Sequence, residues 1–122
     1  PHNYTHNCVV YTGTHDNDTV MGWYDTLKGA DKKLCDDYLR LKNADGEPIP
    51  REQIPWEFVR AAMSSVADMA IIPMQDYLGL GSEARINIPS TLGINWMWRM
   101  GNGDFTKELA GQIRSMTKLY GR

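Results

Sequence analysis

The run Tyr11-Thr12-Gly13-Thr14-His15-Asp16-Asn17-Asp18-Thr19 crowds an imidazole, two carboxylates, an amide and several hydroxyls just after a short apolar stretch. Cys8, Val9, Val10 and Tyr11 are residue types that suit a buried strand, and Gly13 lets the backbone turn tightly as that strand ends. Polar side chains just past the carboxyl end of a strand are held by a rigid element yet face solvent or ligand. That is where α/β architectures put their binding groups. The motif therefore reads as a site.

Its chemistry has several readings. His2, His6, His15, Asp16 and Asp18 raise the question of a metal centre. The histidines fall in different local contexts, and no helical i, i+4 pair and no CxxC or HExxH spacing fixes two ligands on one face, so no metal is expected. A capped polar turn is the bland alternative, because Asp, Asn and Thr bond readily to nearby backbone. A ligand-binding His15–Asp16 pair is the third reading, and the local pattern leaves the last two open.

The elements that must hold the motif follow in order. A strand is expected over about 8–13. Asn17 or Asp18 can cap a helix in which Val20, Tyr24 and Leu27 recur at helical spacing until Gly29 stops it. Leu34, Tyr38 and Leu41 predict a second short amphipathic helix over 31–41, followed by the turn signal Asn43-Ala44-Asp45-Gly46 and by Pro48 and Pro50. The stretch 31–50 reads as an inserted surface excursion. Pro55 suits the first turn of a helix that carries Phe58, Val59, Ala62, Met63 and Val66 toward a sheet. A second strand is expected over about 69–75, where Pro73 argues for an edge, a bulge or a strand end and Gln75-Asp76 puts polar groups at the terminus. Residues 79–103, rich in glycine and carrying Trp96 and Trp98, form a long irregular segment of a kind that is usually functional in a compact fold. A last helix over about 105–120 gathers Phe105, Leu109, Ile113, Met116 and Tyr120 on one face.

This alternation is that of βαβα units in a parallel sheet, so the fold class is α/β. Two strands make no independent sheet. Both runs are apolar on both faces, so each needs neighbours outside this chain, and completion of a larger barrel or sheet is expected.

At 122 residues and 42% hydrophobic, the chain has the length of one ordinary domain and enough apolar content for a core. A net charge of -2, from 13 basic and 15 acidic residues, offers no positive field to a phosphate backbone, so no nucleic-acid partner is expected. No apolar run approaches the roughly 20 residues that span a bilayer, and no basic-then-apolar leader opens the chain. No membrane partner and a cytoplasmic location are expected. Cys8 and Cys35 share no metal-like spacing and read as reduced thiols. Because the chain opens Pro-His-Asn-Tyr and strand-like residues start at once, it reads as a piece of a longer protein.

Two segments carry a family resemblance that spans nearly the whole chain. Residues 11–19, with Gly22-Trp23 after them, resemble the last motif of the 4-alpha-glucanotransferases, the amylomaltases or disproportionating enzymes of the alpha-amylase clan. The run Gln75-Asp76-Tyr77-Leu78-Gly79-Leu80-Gly81-Ser82-Glu83-Ala84-Arg85-Ile86-Asn87-Ile88-Pro89, followed by Asn95-Trp96 and Arg99, is similar to that family's segment near its carboxyl terminus. Two matches at the right separation are far more specific than a lone glycine fingerprint. Ser90 stands where glycine is expected and Met97 falls at a variable position, so the 87–99 loop is the least transferable part. Neither departure touches His15 or Asp16.

The resemblance implies a (β/α)8 TIM barrel, of which this chain would be the last two βα units, a partial barrel. Strand seven would lie at about 8–13, the inserted helices at about 31–50, strand eight at about 69–75, the substrate loop at about 79–103 and the last helix at about 105–120. It further implies transfer of α-1,4-glucan segments between maltooligosaccharides with retention, through a covalent glycosyl-enzyme and an oxocarbenium-like transition state. The setting would be starch, glycogen or maltodextrin metabolism, and no cofactor is implied. The nucleophile and the acid/base, carboxylates roughly 5 to 5.5 Å apart in such chemistry, would come from strands four and five, ahead of residue 1. Asp16 corresponds to the third catalytic carboxylate, which accepts hydrogen bonds from the sugar hydroxyls beside the reacting carbon. Those bonds strengthen as positive charge develops on the ring, so a fixed carboxylate lowers the barrier without being consumed. By the same resemblance His15 would donate to a hydroxyl of that sugar, and Asn87 would make a further sugar contact. Trp96 and Trp98 offer faces for sugar stacking but serve equally as packing residues. Arg85, Arg99 and Glu83 are expected to fix the loops.

Alone, the chain is expected to be catalytically silent, its partner being the missing amino-terminal part of the same barrel. A reading from another class is a non-catalytic carbohydrate-binding or interaction module. Bare strand edges and apolar helix faces would favour a homo-oligomer or a domain swap of the isolated piece.

Overall fold

The apolar run before the polar motif forms strand β1, Val9–Tyr11, which pairs in parallel with β2, Met69–Ile71, in the computed structural model, which describes all 122 residues. The register sets Val9 opposite Met69, Val10 opposite Ala70 and Tyr11 opposite Ile71. Side chains alternate between the two faces of a strand, so Val10 and Ala70 share one face and the other four share the opposite one. Val10 is buried with Ala62 and Ala67 against helix α3, Ile54–Met63. Val9, Tyr11, Met69 and Ile71 lie uncovered, each 40–55% exposed. Only 18 of the 122 residues are buried, few for a core that a chain of this length closes by itself, and that bare face is one part of the shortage.

Both strands are shorter than the sequence reading. The pairing stops where Thr12 turns away, and Pro73, with no N–H to give to a ladder, opens the short helix α4, Met74–Tyr77.

Helix α1, Val20–Thr26, is capped by Thr19 and not by Asn17 or Asp18: the Thr19 hydroxyl accepts from the Gly22 N–H at 3.0 Å. Asn17 instead closes the preceding turn by accepting from the N–H and hydroxyl of Thr14, at 2.8 and 2.9 Å. Gly29 is also displaced from its expected role. Leu27 and Lys28 are already extended, and Gly29, at φ 54, starts helix α2, Gly29–Leu39. The Asn43 side chain then accepts from the N–H groups of Asp45 and Glu47 at 3.0 and 2.9 Å, forming the expected turn. The inserted stretch is more than a surface excursion. Leu39 and Leu41 are buried with Met21, Tyr24 and Ile54 in the larger core cluster, so the insertion fills the space between α1 and α3.

Helix α3 has Pro55 in its first turn and ends before Val66, which is exposed. Helix α5, Lys107–Leu119, is capped by the Thr106 hydroxyl, which accepts from Leu109 N–H at 3.1 Å. Leu109 is buried and Ile113, Met116 and Tyr120 are half-buried on the side toward α3, while Phe105 precedes the helix and is exposed. Arg122 donates to the carbonyls of Met63, Ser65 and Ala67 at 2.7, 2.8 and 2.7 Å, which satisfies the end of α3 and anchors the end of α5.

Candidate functional site

The polar motif leaves β1 as a loop secured at both ends by one carboxylate. The Thr12 hydroxyl donates to Asp76 Oδ2, and the Val20 N–H donates to Asp76 Oδ1 at 2.9 Å. Thr12 enters the loop and Val20 leaves it. Asp76, 2% exposed and in α4 beyond the end of β2, therefore pins both ends of residues 12–20 to that helix. Burial pushes the Asp76 carboxyl above the ordinary carboxylate range, more than the bonds from Thr12 and Val20 pull it down.

A second fastening holds the far side of the loop. Ser82 Oγ donates to Asp18 Oδ2 at 2.7 Å. Gly22 makes room for this bond, because a Cβ there would fall 2.4 Å from Ser82 Oγ and 2.6 Å from Asp18 Oδ1.

His15 and Asp16 project from the secured loop with side chains 53% and 50% exposed. The acid is not turned inward. Asn87 Nδ2 donates to Asp16 Oδ1 at 2.6 Å, and His15 Nε2 stands 3.3 Å from the same oxygen. Asp16 Oδ2 accepts no bond from the protein and is free to accept one from a ligand. Arg85 ties the two segments together, donating to the Asp16 carbonyl at 2.7 Å and to the Asn87 carbonyl at 2.9 Å. The Trp96 ring lies 5.0 Å from the imidazole at an interplanar angle of 37°. A cavity of about 510 Å³ opens between the strand ends beside this cluster, with Tyr11, Thr14, His15, Ile71 and Ile86 in its wall. A larger apolar groove of about 770 Å³ against α2 and α3 holds none of His15, Asp16 and Asn87.

The three site residues read from the sequence thus come together, although His15 and Asp16 are separated from Asn87 by most of the chain. The Asn87 amide is engaged by Asp16. Arg99 donates to the Trp96 and Trp98 carbonyls at 3.0 and 2.7 Å, and Glu83 accepts from the Gly81 N–H at 2.9 Å, so both hold loop backbone. The histidines do not gather, since His2 pairs with Tyr38, and no three His, Cys, Asp or Glu side chains converge. Sequence reasoning missed the dual grip of Asp76 and the tilted contact of Trp96 with His15. A lone acid after an apolar run was the signal for the first; no local signal marks the second.

A parallel strand pair with polar side chains gathered at its carboxyl ends is the arrangement that α/β folds use for binding sites. A family model described as 4-alpha-glucanotransferase matches residues 1–105. The chain belongs to the 4-alpha-glucanotransferase family. It is 49% identical over 123 residues to the 4-alpha-glucanotransferase of Clostridium butyricum, a match to 100% of this chain and 24% of that protein. It is 46% identical over 125 residues to the chloroplastic/amyloplastic 4-alpha-glucanotransferase of Arabidopsis thaliana, covering 100% of this chain and 20% of that one. The solved amylomaltase from Streptococcus agalactiae in complex with acarbose superposes with a TM-score of 0.89 at 35% identity, over 100% of this chain and 23% of its own. The chain spans a quarter or less of the length of these relatives.

Proposed function

We propose that this chain supplies the last two βα units of a (β/α)8 barrel, and with them the transition-state-stabilising carboxylate of an enzyme that moves α-1,4-glucan segments between maltooligosaccharides with retention. The observation that carries this reading is Asp16 itself. Its carboxylate is half exposed at the carboxyl end of β1, one oxygen is fixed by Asn87, and the other is open. A carboxylate held in advance of the reaction stabilises an oxocarbenium-like charge without reorganising as that charge develops. His15 orients the same sugar. Asn87 fixes the carboxylate and borders the sugar site. The nucleophile and the acid/base belong to the rest of the full-length protein, as does the surface that covers Val9, Tyr11, Met69 and Ile71. That bare apolar face favours a part of a larger barrel over a free-standing binding module. Left alone, the piece would cover it by self-association. The setting proposed is cytoplasmic starch, glycogen or maltodextrin metabolism.

The experiment uses the full-length enzyme carrying this segment, with maltotriose as donor and acceptor. Longer maltooligosaccharides are expected from the native protein. Asp16→Asn is expected to lower kcat about 100- to 1000-fold with a much smaller change in KM. Retention of kcat within about tenfold of wild type would remove Asp16 from the catalytic role.

A further inference from the structure

Trp96 has no place in the function argued so far, yet its backbone is held where a bulky residue rarely goes. Its φ is 66, a left-handed conformation that favours glycine and is strained for other residues. The ring does not seek burial, since the residue is 55% exposed. What the conformation achieves is contact with the His15 imidazole, 5.0 Å away at 37°.

The strained turn is enforced from both sides. The Trp96 N–H donates to the Ile86 carbonyl at 2.7 Å, and the Trp96 carbonyl accepts from Arg99 at 3.0 Å. Its neighbour Asn95 accepts from the Ile88 N–H at 2.9 Å and donates to the Thr91 carbonyl at 3.1 Å. The loop from Ile86 to Trp96 is thereby closed at its base. One arm of the base presents Asn87 to Asp16, and the other presents Trp96 to His15.

Building on the reading of His15 and Asp16 as a sugar-binding pair, we propose that Trp96 is a positioning residue whose indole holds the His15 imidazole with Nε2 toward Asp16. The backbone strain is retained because it places the indole there. An imidazole packed against an aromatic face loses ring orientations that would point its nitrogens away from the sugar.

The test uses the full-length glucanotransferase carrying this segment, maltotriose disproportionation and thermal unfolding, with Trp96→Gly, Trp96→Phe, His15→Ala and the double variant His15→Ala/Trp96→Gly. Glycine relieves the backbone, so the melting temperature of Trp96→Gly is expected to hold or rise. Its kcat is expected to fall about tenfold, the upper end of what one aromatic pair contributes, with KM within about twofold of wild type. Trp96→Phe should recover most of that kcat. In the His15→Ala background, loss of the indole should have no further effect, as expected of a residue acting through another.

Three results would overturn the proposal. A raised KM with unchanged kcat would make the indole a sugar platform, and a joint fall in melting temperature and kcat in both Trp96 variants would make it a structural filler. An undiminished loss in the His15→Ala background would uncouple it from the imidazole. Failure of the underlying reading shows separately, as wild-type kcat in Asp16→Asn and His15→Ala.

Discussion

Asp76→Ala should damage the protein far more than Asp76→Asn, although both remove the same charge. The carboxylate accepts from the Thr12 hydroxyl and from the Val20 N–H, and Val20 is 4% exposed, so in the alanine variant that N–H has neither protein nor water to bond. An orphaned buried donor costs about 1–3 kcal/mol, and the lost bond from Thr12 adds about 1 kcal/mol, for a total of about 2–4 kcal/mol. Asparagine keeps an oxygen for Val20, and the Thr12 hydroxyl can rotate to accept from its amide. It also removes a charge that burial disfavours, so its effect should stay within about 1 kcal/mol. The pH dependence has a fixed sign. A folded carboxyl raised above its ordinary 3.8 binds its proton more tightly than the unfolded chain does. Its contribution to stability is full below that value and is lost as pH rises through the raised folded pKa. Asp76→Asn should therefore gain on wild type as the pH goes from about 4 to 7. Urea unfolding of the full-length enzyme at both pH values, followed by kcat on maltotriose, measures all of this. The loop bearing His15 and Asp16 should lose kcat in step with the alanine variant's instability. An alanine variant within about 0.5 kcal/mol of wild type, an asparagine variant equally damaged, or an asparagine variant that loses ground to wild type as the pH rises would overturn this account of Asp76.

Two further predictions concern glycine-compatible positions. Gly22→Ala should destabilise by about 1 kcal/mol net: overpacking against Ser82 and Asp18 costs about 1–3 kcal/mol, against about 1 kcal/mol of improved helix propensity. A stabilised variant in chemical unfolding would contradict the close approach. Ser90, at φ 63, stands where the family resemblance leads one to expect glycine, and Ser90→Gly should stabilise by about 1 kcal/mol. Ser90→Ala is the control, expected to show no gain in the same melting experiment.

Much of the scaffold was legible because local and global signals agree. The β-branched pair Val9-Val10, Pro55 in a first turn and the stripe Leu109, Ile113, Met116, Tyr120 each announce the element they form. The motif with His15 and Asp16 was legible as a polar cluster at a strand end, and a resemblance named Asn87, which the structure sets against Asp16. The errors fall where distant contacts decide. Asn17, Asp18 and Thr19 are all competent caps, and the choice of Thr19 accompanies the grip of Asp76 on Val20, 56 residues away. The inserted stretch reads as a surface excursion because five of the eleven residues of α2 are charged, while its core anchors, Leu39 and Leu41, lie at and beyond the helix end. The strain at Trp96 could not be read at all, since it exists only once Ile86 and Arg99 close the loop around it.

The four uncovered side chains of the sheet, Val9, Tyr11, Met69 and Ile71, also govern how this stretch can travel between genes. A recombination event that moved it away from the barrel proposed above would deliver oily residues with no shelter, exposed to quality control before selection could act on the site. Viable breakpoints are those that keep the shelter and the sheltered in one reading frame.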